Sequence, residues 1–444
     1  MERNKYEFII ECIEKLILTN KLKQGERLPS IRSLAAKYNC NKSTVIRAYK
    51  ELESNHKIYA VPKSGYYLVE KSSLDDCERQ VINFAETAPD PKLLPYKEFN
   101  HCINRAVELY KNNLFSYSDV QGLESLREAL ADHLSEYQIF TSKEKIFVTT
   151  GSQQALSILA KMPFPNGKKN VLIEQPTYSL IHKIVELNGD KLVGISRDYR
   201  GIDFHELEEL FKNESIKFFY TIPRFHNPLG TSYSEKEKKK IVELAEKYDV
   251  YIVEDDYLAD IDINKNNQPV FYYDVSERVI YVKSFSKAFM PGIRIGVVVL
   301  HDKLKNEFLK HKRYYDLNTS VLSQGGLEIF VNSGMYRNHV RKIKLEYKKK
   351  MSYLKKCLEV LDTSRVKLFI PTTGFFVWIK LIKKVNIDIL LKELEKKDIF
   401  ISPARKYFIE NKSNENSFRI CISKLKLKEI KSGIKIIFEE INRL

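Results

Sequence analysis

Cysteine is scarce in this chain. There are six in 444 residues, at Cys12, Cys40, Cys77, Cys102, Cys357 and Cys421, and no two form a Cys-x-x-Cys pair. That spacing argues against a disulfide scaffold or a thiolate metal cluster and suits the reduced thiols of a cytoplasmic protein. Long apolar runs are missing too: no stretch approaches the ~20 residues that a membrane-spanning helix needs. The opening Met1-Glu2-Arg3-Asn4-Lys5 leads into a charged helical pattern, so no signal peptide is expected. What remains is a globular composition, long enough for two or three domains around a large core. Positive charge is in excess, with a formal net charge of +16. That excess fits an anionic partner such as nucleic acid, or anionic ligands. A lysine-rich proteome would give the same bias, so placement has to decide.

The first 70 residues place it. Tyr6, Ile9, Ile10, Ile13, Leu16 and Ile17 recur at helical spacing and predict a helix over residues 4–19. Ser30 is a suitable N-cap for a second helix with Ile31, Leu34 and Ala35 facing inward. After a turn at Asn39-Cys40-Asn41, a third helix is predicted over residues 42–54, with Val45, Ala48, Tyr49 and Leu52 inside. Two short strands, 57–61 and 66–69, flank the turn Pro62-Lys63-Ser64-Gly65. Three helices followed by a hairpin make a winged helix-turn-helix. The outer side of the third helix carries Lys42, Ser43, Thr44 and Arg47, short hydroxyls and cations suited to base edges. Arg32, Lys63 and Ser64 are placed to grip phosphates.

These residues carry a resemblance. Leu28-Pro29-Ser30-Ile31-Arg32-Ser33-Leu34-Ala35, the run from Lys42 to Leu52, and Ser64-Gly65-Tyr66-Tyr67-Leu68-Val69 resemble the GntR-type DNA-binding domain over residues 1–70. Lys42 stands where arginine is usual, and Asn55-His56 replaces the usual glycine. Lysine still binds phosphate but lacks arginine's bidentate fork. Asparagine tolerates the left-handed backbone that a glycine would take. Residues 71–81 are polar and aperiodic and are expected to be a short linker.

From residue 82 the pattern changes to alternating strands and amphipathic helices. Strands are expected at 146–149, 171–174, 217–221, 250–254, 279–283 and 295–300, which implies a mostly parallel sheet with helices on both faces. Ligands of such sheets sit at the carboxyl ends of the strands, so the residues after each strand are the informative ones. In order they are Thr150-Gly151-Ser152-Gln153, then Gln175-Pro176-Thr177-Tyr178, then the loop from Pro223 through Asn227 to Gly230, then Glu254-Asp255-Asp256-Tyr257, then Ser284-Phe285-Ser286-Lys287, with Arg294 seven residues on. Each has an ordinary alternative as a capping serine, a turn asparagine or a core tyrosine. Taken together, phosphate cradle, stacking ring, amide, carboxylate and lysine describe a pyridoxal 5'-phosphate (PLP) site. Lys287 would form the Schiff base with the cofactor aldehyde and Asp255 would pair with the ring nitrogen. Asn227 and Tyr257 would reach the phenolic oxygen. Gly151, Ser152, Gln153, Ser284, Ser286 and Arg294 would hold the phosphate, and Tyr178 would stack on the ring.

Residues 82–444 resemble the fold type I aminotransferases, with a large part at about 120–300 and a small part mainly at 335–444. The run from Tyr117 to Arg127 and the run Ser417-Phe418-Arg419-Ile420-Cys421 also match. The resemblance implies that Tyr117 reaches a neighbouring subunit's cofactor phosphate and that Arg419 binds a ligand carboxylate. Basic helices are expected at 305–315 and 336–361, and further strands near 375–380 and 418–423. The whole chain is similar to the MocR/GabR family of transcriptional regulators. Asp255 and Tyr257 are two apart, as in those regulators, whereas three is usual in the enzymes. Asn227-Pro228-Leu229-Gly230 is closer to the enzymes. The expectation is a cytoplasmic, PLP-dependent regulator that binds promoter DNA and senses an amino compound, or PLP itself, through Lys287. A head-to-tail, domain-swapped homodimer is the implied assembly. The alternative is a working aminotransferase with an accessory DNA-binding domain.

Overall fold

The computed structural model describes residues 5–18, 22, 25–54, 57–62, 64–69, 81–264, 266–382, 385–409 and 416–444. The chain divides into two compact units, Met1–Gln80 and Val81–Leu444. Lys63, Asn55, His56 and residues 71–80 of the expected linker lie outside the described residues.

The first unit has helices Lys5–Leu18, Ile31–Lys37 and Lys42–Ser54, followed by the antiparallel strands β1 (Ile58–Val61) and β2 (Gly65–Leu68). Ser30 caps the second helix by accepting the Ser33 amide. Such a cap is worth about 1 kcal/mol. Ile9, Ile13, Leu34, Val45, Ala48, Tyr49 and Leu52 form its core with Ile58 and Leu68 of the hairpin. Gly65 has φ +125°, and a Cβ there would lie 3.1 Å from Arg27 Nε. The wing therefore turns at the residue where an L side chain would be strained and crowded.

The second unit opens with β3 (Ile82–Asn83) and is built on an eight-stranded sheet. In chain order its strands are β4 (Ile146–Thr149), β5 (Asn170–Gln175), β6 (Leu192–Asp198), β7 (Gly201–Ile202), β8 (Ile216–Thr221), β9 (Tyr251–Asp255), β10 (Val279–Ser284) and β11 (Gly296–Val299). Their spatial order is β4-β11-β10-β9-β8-β5-β6-β7. The steps β10-β9-β8-β5-β6 are parallel, and β11 runs against both β10 and β4. The carboxyl ends of β4, β5, β8, β9 and β10 thus share one edge. These strands are buried on both faces, as continuous runs of Val, Ile, Phe and Tyr require. Phe218, Tyr220 and Val253 pack into one layer, while Phe219 and Ile252 pack into the opposite one.

The second sheet contains β12 (Val366–Phe369), β13 (Phe376–Leu381), β15 (Ser402–Pro403) and β16 (Ser417–Cys421), in the order β12-β13-β16-β15. The short β14 (Ile399–Phe400) pairs in parallel with β3. Two of the unexpected elements show what overrides local pattern. β6 is half exposed near the sheet edge and carries Gly194, Ser196 and Arg197, so it lacks the apolar run of its neighbours. The helix Val321–Asn332 contains Gly325 and Gly326, which read as breakers. They let the helix approach its neighbours: a Cβ on Gly326 would lie 2.6 Å from Ile103 Cδ1. Among the described residues, no helix is long and apolar enough to cross a membrane.

Candidate functional site

The site lies where those strand ends meet. Register brings three of its parts into one row: Ser284 pairs with Gly296, and Gly296 pairs with Thr149. After Thr149 the chain turns through Gly151 (φ +76°) into the helix Ser152–Lys161. Gly151 is this helix's N-cap and supplies no side-chain cap, so the first amides point out of the turn as an anion site. Two glycines make the turn possible. A Cβ on Gly296 would meet Gly151 C at 2.5 Å, and one on Gly151 would meet Arg294 Nη2 at 2.7 Å. Arg294 is exposed and left-handed (φ 51°), with its guanidinium against the turn. The Ser286 amide donates to Ser284 Oγ (3.2 Å). Gln153 Nε2 donates to the Tyr178 hydroxyl (3.2 Å), tying the aromatic ring to the turn.

Asp255 ends β9 with 4% exposure. Its Oδ2 accepts the Tyr220 hydroxyl (2.8 Å), while its Oδ1 is buried with no partner. Burial pushes this carboxyl up to about 7, although Tyr220's hydrogen bond opposes the shift. Tyr220 escaped the sequence reading, because nothing in the run Phe218-Phe219-Tyr220 separates it from core aromatics. Lys287 follows β10. Its Nζ donates to Thr87 O and Thr87 Oγ1, both at 3.1 Å. Burial lowers its pKa, and Arg419 and Arg294 add to that while Cys421 and Asp255 oppose it. A depressed lysine holds more of the neutral amine, the form that attacks a carbonyl.

Asn227 and Arg419 meet: Arg419 Nη1 donates to Asn227 Oδ1 (2.9 Å). Arg419 Nη2 donates to Ala85 O (2.6 Å), and its Nε is buried without a partner. The guanidinium also lies over the Phe376 and Tyr407 rings, at 4.5 and 5.2 Å. Tyr257 is buried and donates to Phe225 O (2.7 Å). The loop bearing Asn227 is braced by a buried cluster. Glu174 accepts from Arg197 (2.6 Å), Thr221 (2.6 Å) and Tyr233 (2.6 Å), with His226 Nε2 at 3.1 Å. Burial would raise Glu174, but Arg197 and then His226 outweigh it and hold the carboxyl at about 2. Burial and Arg197 keep His226 neutral, with its pKa near 4. Tyr117 is not brought to this site within the chain and is 87% exposed.

In the first unit, Arg32, Lys42, Ser43 and Arg47 are exposed, Thr44 is half-buried, and Ser64 sits in the wing. Arg47 stacks its guanidinium 4.1 Å from the Tyr6 ring centroid, which steadies the helix face. Ser64 Oγ and the Tyr67 hydroxyl are 2.5 Å apart. Arg27, which the sequence reading passed over, lies against the wing glycine.

The residues of the second unit fit pyridoxal phosphate. The unpartnered Asp255 Oδ1 needs a donor such as a ring N–H. The uncapped helix start needs an anion. Lys287 and the tethered Tyr178 ring lie on the same strand-end edge. Among the described residues, no cluster could hold a metal ion.

Comparison with known proteins agrees with this arrangement. The profile "Aminotransferase class I and II" matches residues 79–437, and "Bacterial regulatory proteins, gntR family" matches residues 5–68. The uncharacterized HTH-type transcriptional regulator YcxD of Bacillus subtilis is 42% identical over 442 residues, covering 98% of this chain and all of that protein. The HTH-type transcriptional regulator NorG of Staphylococcus aureus is 26% identical, covering 88% of this chain and 95% of its own. Among solved structures, a Pyrococcus horikoshii kynurenine aminotransferase matches with a TM-score of 0.76 at 28% identity, covering 82% of this chain and 91% of that one. PLP is the cofactor of this site. The chain belongs to the class I and II aminotransferase family, carries a gntR-type DNA-binding domain at its N-terminus, and so has the architecture of the MocR/GabR regulators.

Proposed function

We propose that this protein is a cytoplasmic transcriptional regulator whose hold on promoter DNA is set by an amino compound, or by PLP itself, captured at Lys287. The supporting observation is that a site with Lys287 and an unpartnered Asp255 Oδ1 shares one chain with a GntR-type domain exposing Arg32, Lys42, Ser43 and Arg47. When bound, the cofactor supplies an aldehyde that captures amines and a ring that withdraws electrons. The chain's own residues do the rest. Asp255 Oδ1 would accept the ring N–H, and Tyr220 fixes the carboxylate from its other oxygen. Asn227 gives its oxygen to Arg419, which would leave Nδ2 to donate to the phenolic oxygen, while the Tyr257 hydroxyl donates to Phe225 O. Ser152 and Gln153 would offer amides to the phosphate at the Gly151 turn, supported by Ser284, Ser286 and Arg294, and Tyr178 would cover the ring face. Arg419 binds the ligand's carboxylate through paired N–H groups.

On DNA, the N-terminal end of the third helix enters the major groove with Lys42, Ser43, Thr44 and Arg47, while Arg32 and the wing residues Lys63 and Ser64 hold phosphates. Two copies pair head to tail in a domain-swapped homodimer. Exposed Tyr117, Phe115 and Tyr314 are available to a second copy, and Tyr117 reaches its phosphate site. A dimer reads two half-sites. For a ligand to act, it must favour one state of the protein over the other.

The test pairs a visible absorption spectrum with gel shifts on the protein's own upstream DNA across a panel of amino compounds. Yellow protein whose DNA affinity changes with one of them supports the reading. Because Lys287 and Arg419 are both in place, the rival is a working aminotransferase. Steady amino-acid turnover without sequence-preferential DNA binding would establish it instead.

A further inference from the structure

Segment 82–90 opens the second unit and crosses the site. It begins as β3, paired with β14. Phe84 O then accepts the Cys421 amide (2.7 Å), Ala85 O accepts Arg419 Nη2 (2.6 Å), Thr87 O and Oγ1 accept Lys287 Nζ (3.1 Å each), and Ala88 O accepts Ser423 Oγ (2.6 Å). Farther on, Lys350 Nζ donates to Asp90 Oδ2 (2.8 Å). The Cys421 amide, Ser423 and Lys350 belong to the framework. Lys287 and Arg419 have work elsewhere.

We propose that residues 83–88 form a strap held by Lys287 and Arg419, with Thr87 as the positioning residue of the latch, and that cofactor loading at Lys287 releases it. This rests on the reading of Lys287 as the amine that takes the cofactor.

The chemistry of the nitrogen drives the release. As an amine, Lys287 Nζ carries two hydrogens, enough for both Thr87 acceptors, and as an ammonium it carries three. Condensation with an aldehyde forms a C=N bond, and the carbonyl oxygen leaves as water together with two hydrogens from nitrogen. No electrons are gained or lost. The nitrogen then keeps one hydrogen if protonated and none otherwise, so it cannot serve both Thr87 acceptors. A ligand carboxylate on Arg419 would compete with Ala85 O in the same way. Thr87 thus reports cofactor loading and Ala85 reports a carboxylate. Along the chain, the strap continues from β3, which follows the expected linker and pairs with β14, so loosening the strap bears on the tether of the first unit through that strand.

Hydrogen exchange on the full-length protein reads the strap directly. The amides of Ala85 and Glu86 are held by Asn83 Oδ1, at 2.9 and 3.2 Å, and their exchange reports opening. In the wild type, loading with PLP raises exchange across residues 83–88 by roughly tenfold, the scale of one hydrogen bond lost. Lys287→Ala without cofactor already exchanges at the raised rate, and PLP adds nothing. Thr87→Val keeps the carbonyl and loses Oγ1. It exchanges at an intermediate rate and narrows the difference in DNA affinity between the cofactor-free and loaded forms. A cofactor-free Lys287→Ala strap as protected as the wild type overturns the latch. So does a wild-type strap that stays protected while the visible band forms. If Thr87→Val shifts exchange but leaves the DNA response at the wild-type size, transmission along the tether is wrong. Failure of the visible band to form would strike the proposed function instead, and the cofactor-free comparison of Lys287→Ala with wild type would still decide the latch.

Discussion

The two units solve recognition in opposite ways. In the first, the candidate contacts are exposed: Arg32, Lys42, Ser43 and Arg47 stand on helices whose cores are made by other residues, such as Val45, Ala48 and Leu52. In the second, the charged and amide contacts at the centre of the site are themselves interior, and only the phosphate turn has exposed members, Gln153 and Arg294. Asp255 and Arg419 are buried, and the Asn227 loop is held by Glu174, Arg197 and His226, all within the fold. A surface site separates function from stability, since side chains in water cost the fold little. A buried site binds them together, because each charge must be paired or neutralised. The first arrangement suits a partner that is itself a polyanion. The second suits a small ligand enclosed on all sides.

The largest break in that comparison is Lys287→Ala. It removes the amine, and the visible absorption band of the purified protein is lost altogether while the first unit's DNA contacts stay intact. Next is Arg197→Ala, which removes the charge partner of buried Glu174 and leaves it the hydroxyls of Thr221 and Tyr233 and the neutral His226. Denaturant unfolding of the second unit is expected to show a loss of about 3–5 kcal/mol. Asp255 sharpens the contrast by its pH dependence. In the cofactor-free protein its carboxyl keeps a proton up to about pH 7 that the unfolded chain loses near 4. The folded state therefore binds more protons in that window, and stability falls as pH rises from about 4 to about 7. Asp255→Asn flattens that slope and makes the cofactor-free protein melt higher at pH 8, while weakening cofactor retention. The smallest effect is at the surface. Lys42→Ala and Arg32→Ala each lower DNA affinity across sequences and reduce the salt slope by about 1. They leave stability within about 0.5 kcal/mol of wild type.

How much of this was legible follows the same division. Strand ends could be found because buried parallel strands are continuous apolar runs, and the chemistry-bearing residues follow them directly. β4 appears where it was expected, and β10 differs by one residue. The third helix of the first unit also matches its expected span, because its apolar spacing and the Asn39-Cys40-Asn41 turn are local signals. What could not be read comes from tertiary context. β6 is specified by its place near the sheet edge. The helix Val321–Asn332 tolerates two glycines only because neighbouring helices crowd it. Tyr220 and Thr87 reach the site from elements whose residue types carry no chemical signature. Tyr117 was expected to reach a neighbouring subunit's phosphate, and its exposure within this chain leaves it available to a second copy.

The central claim is that occupancy at Lys287 sets the hold on DNA. The most direct test measures DNA affinity by fluorescence anisotropy, at fixed salt, for cofactor-free and PLP-loaded protein with and without each amino compound, in wild type and in Lys287→Ala. The account predicts a ligand-dependent change in affinity in the wild type that disappears in Lys287→Ala. The same change in both proteins, or none in the wild type despite a full visible band, would contradict it.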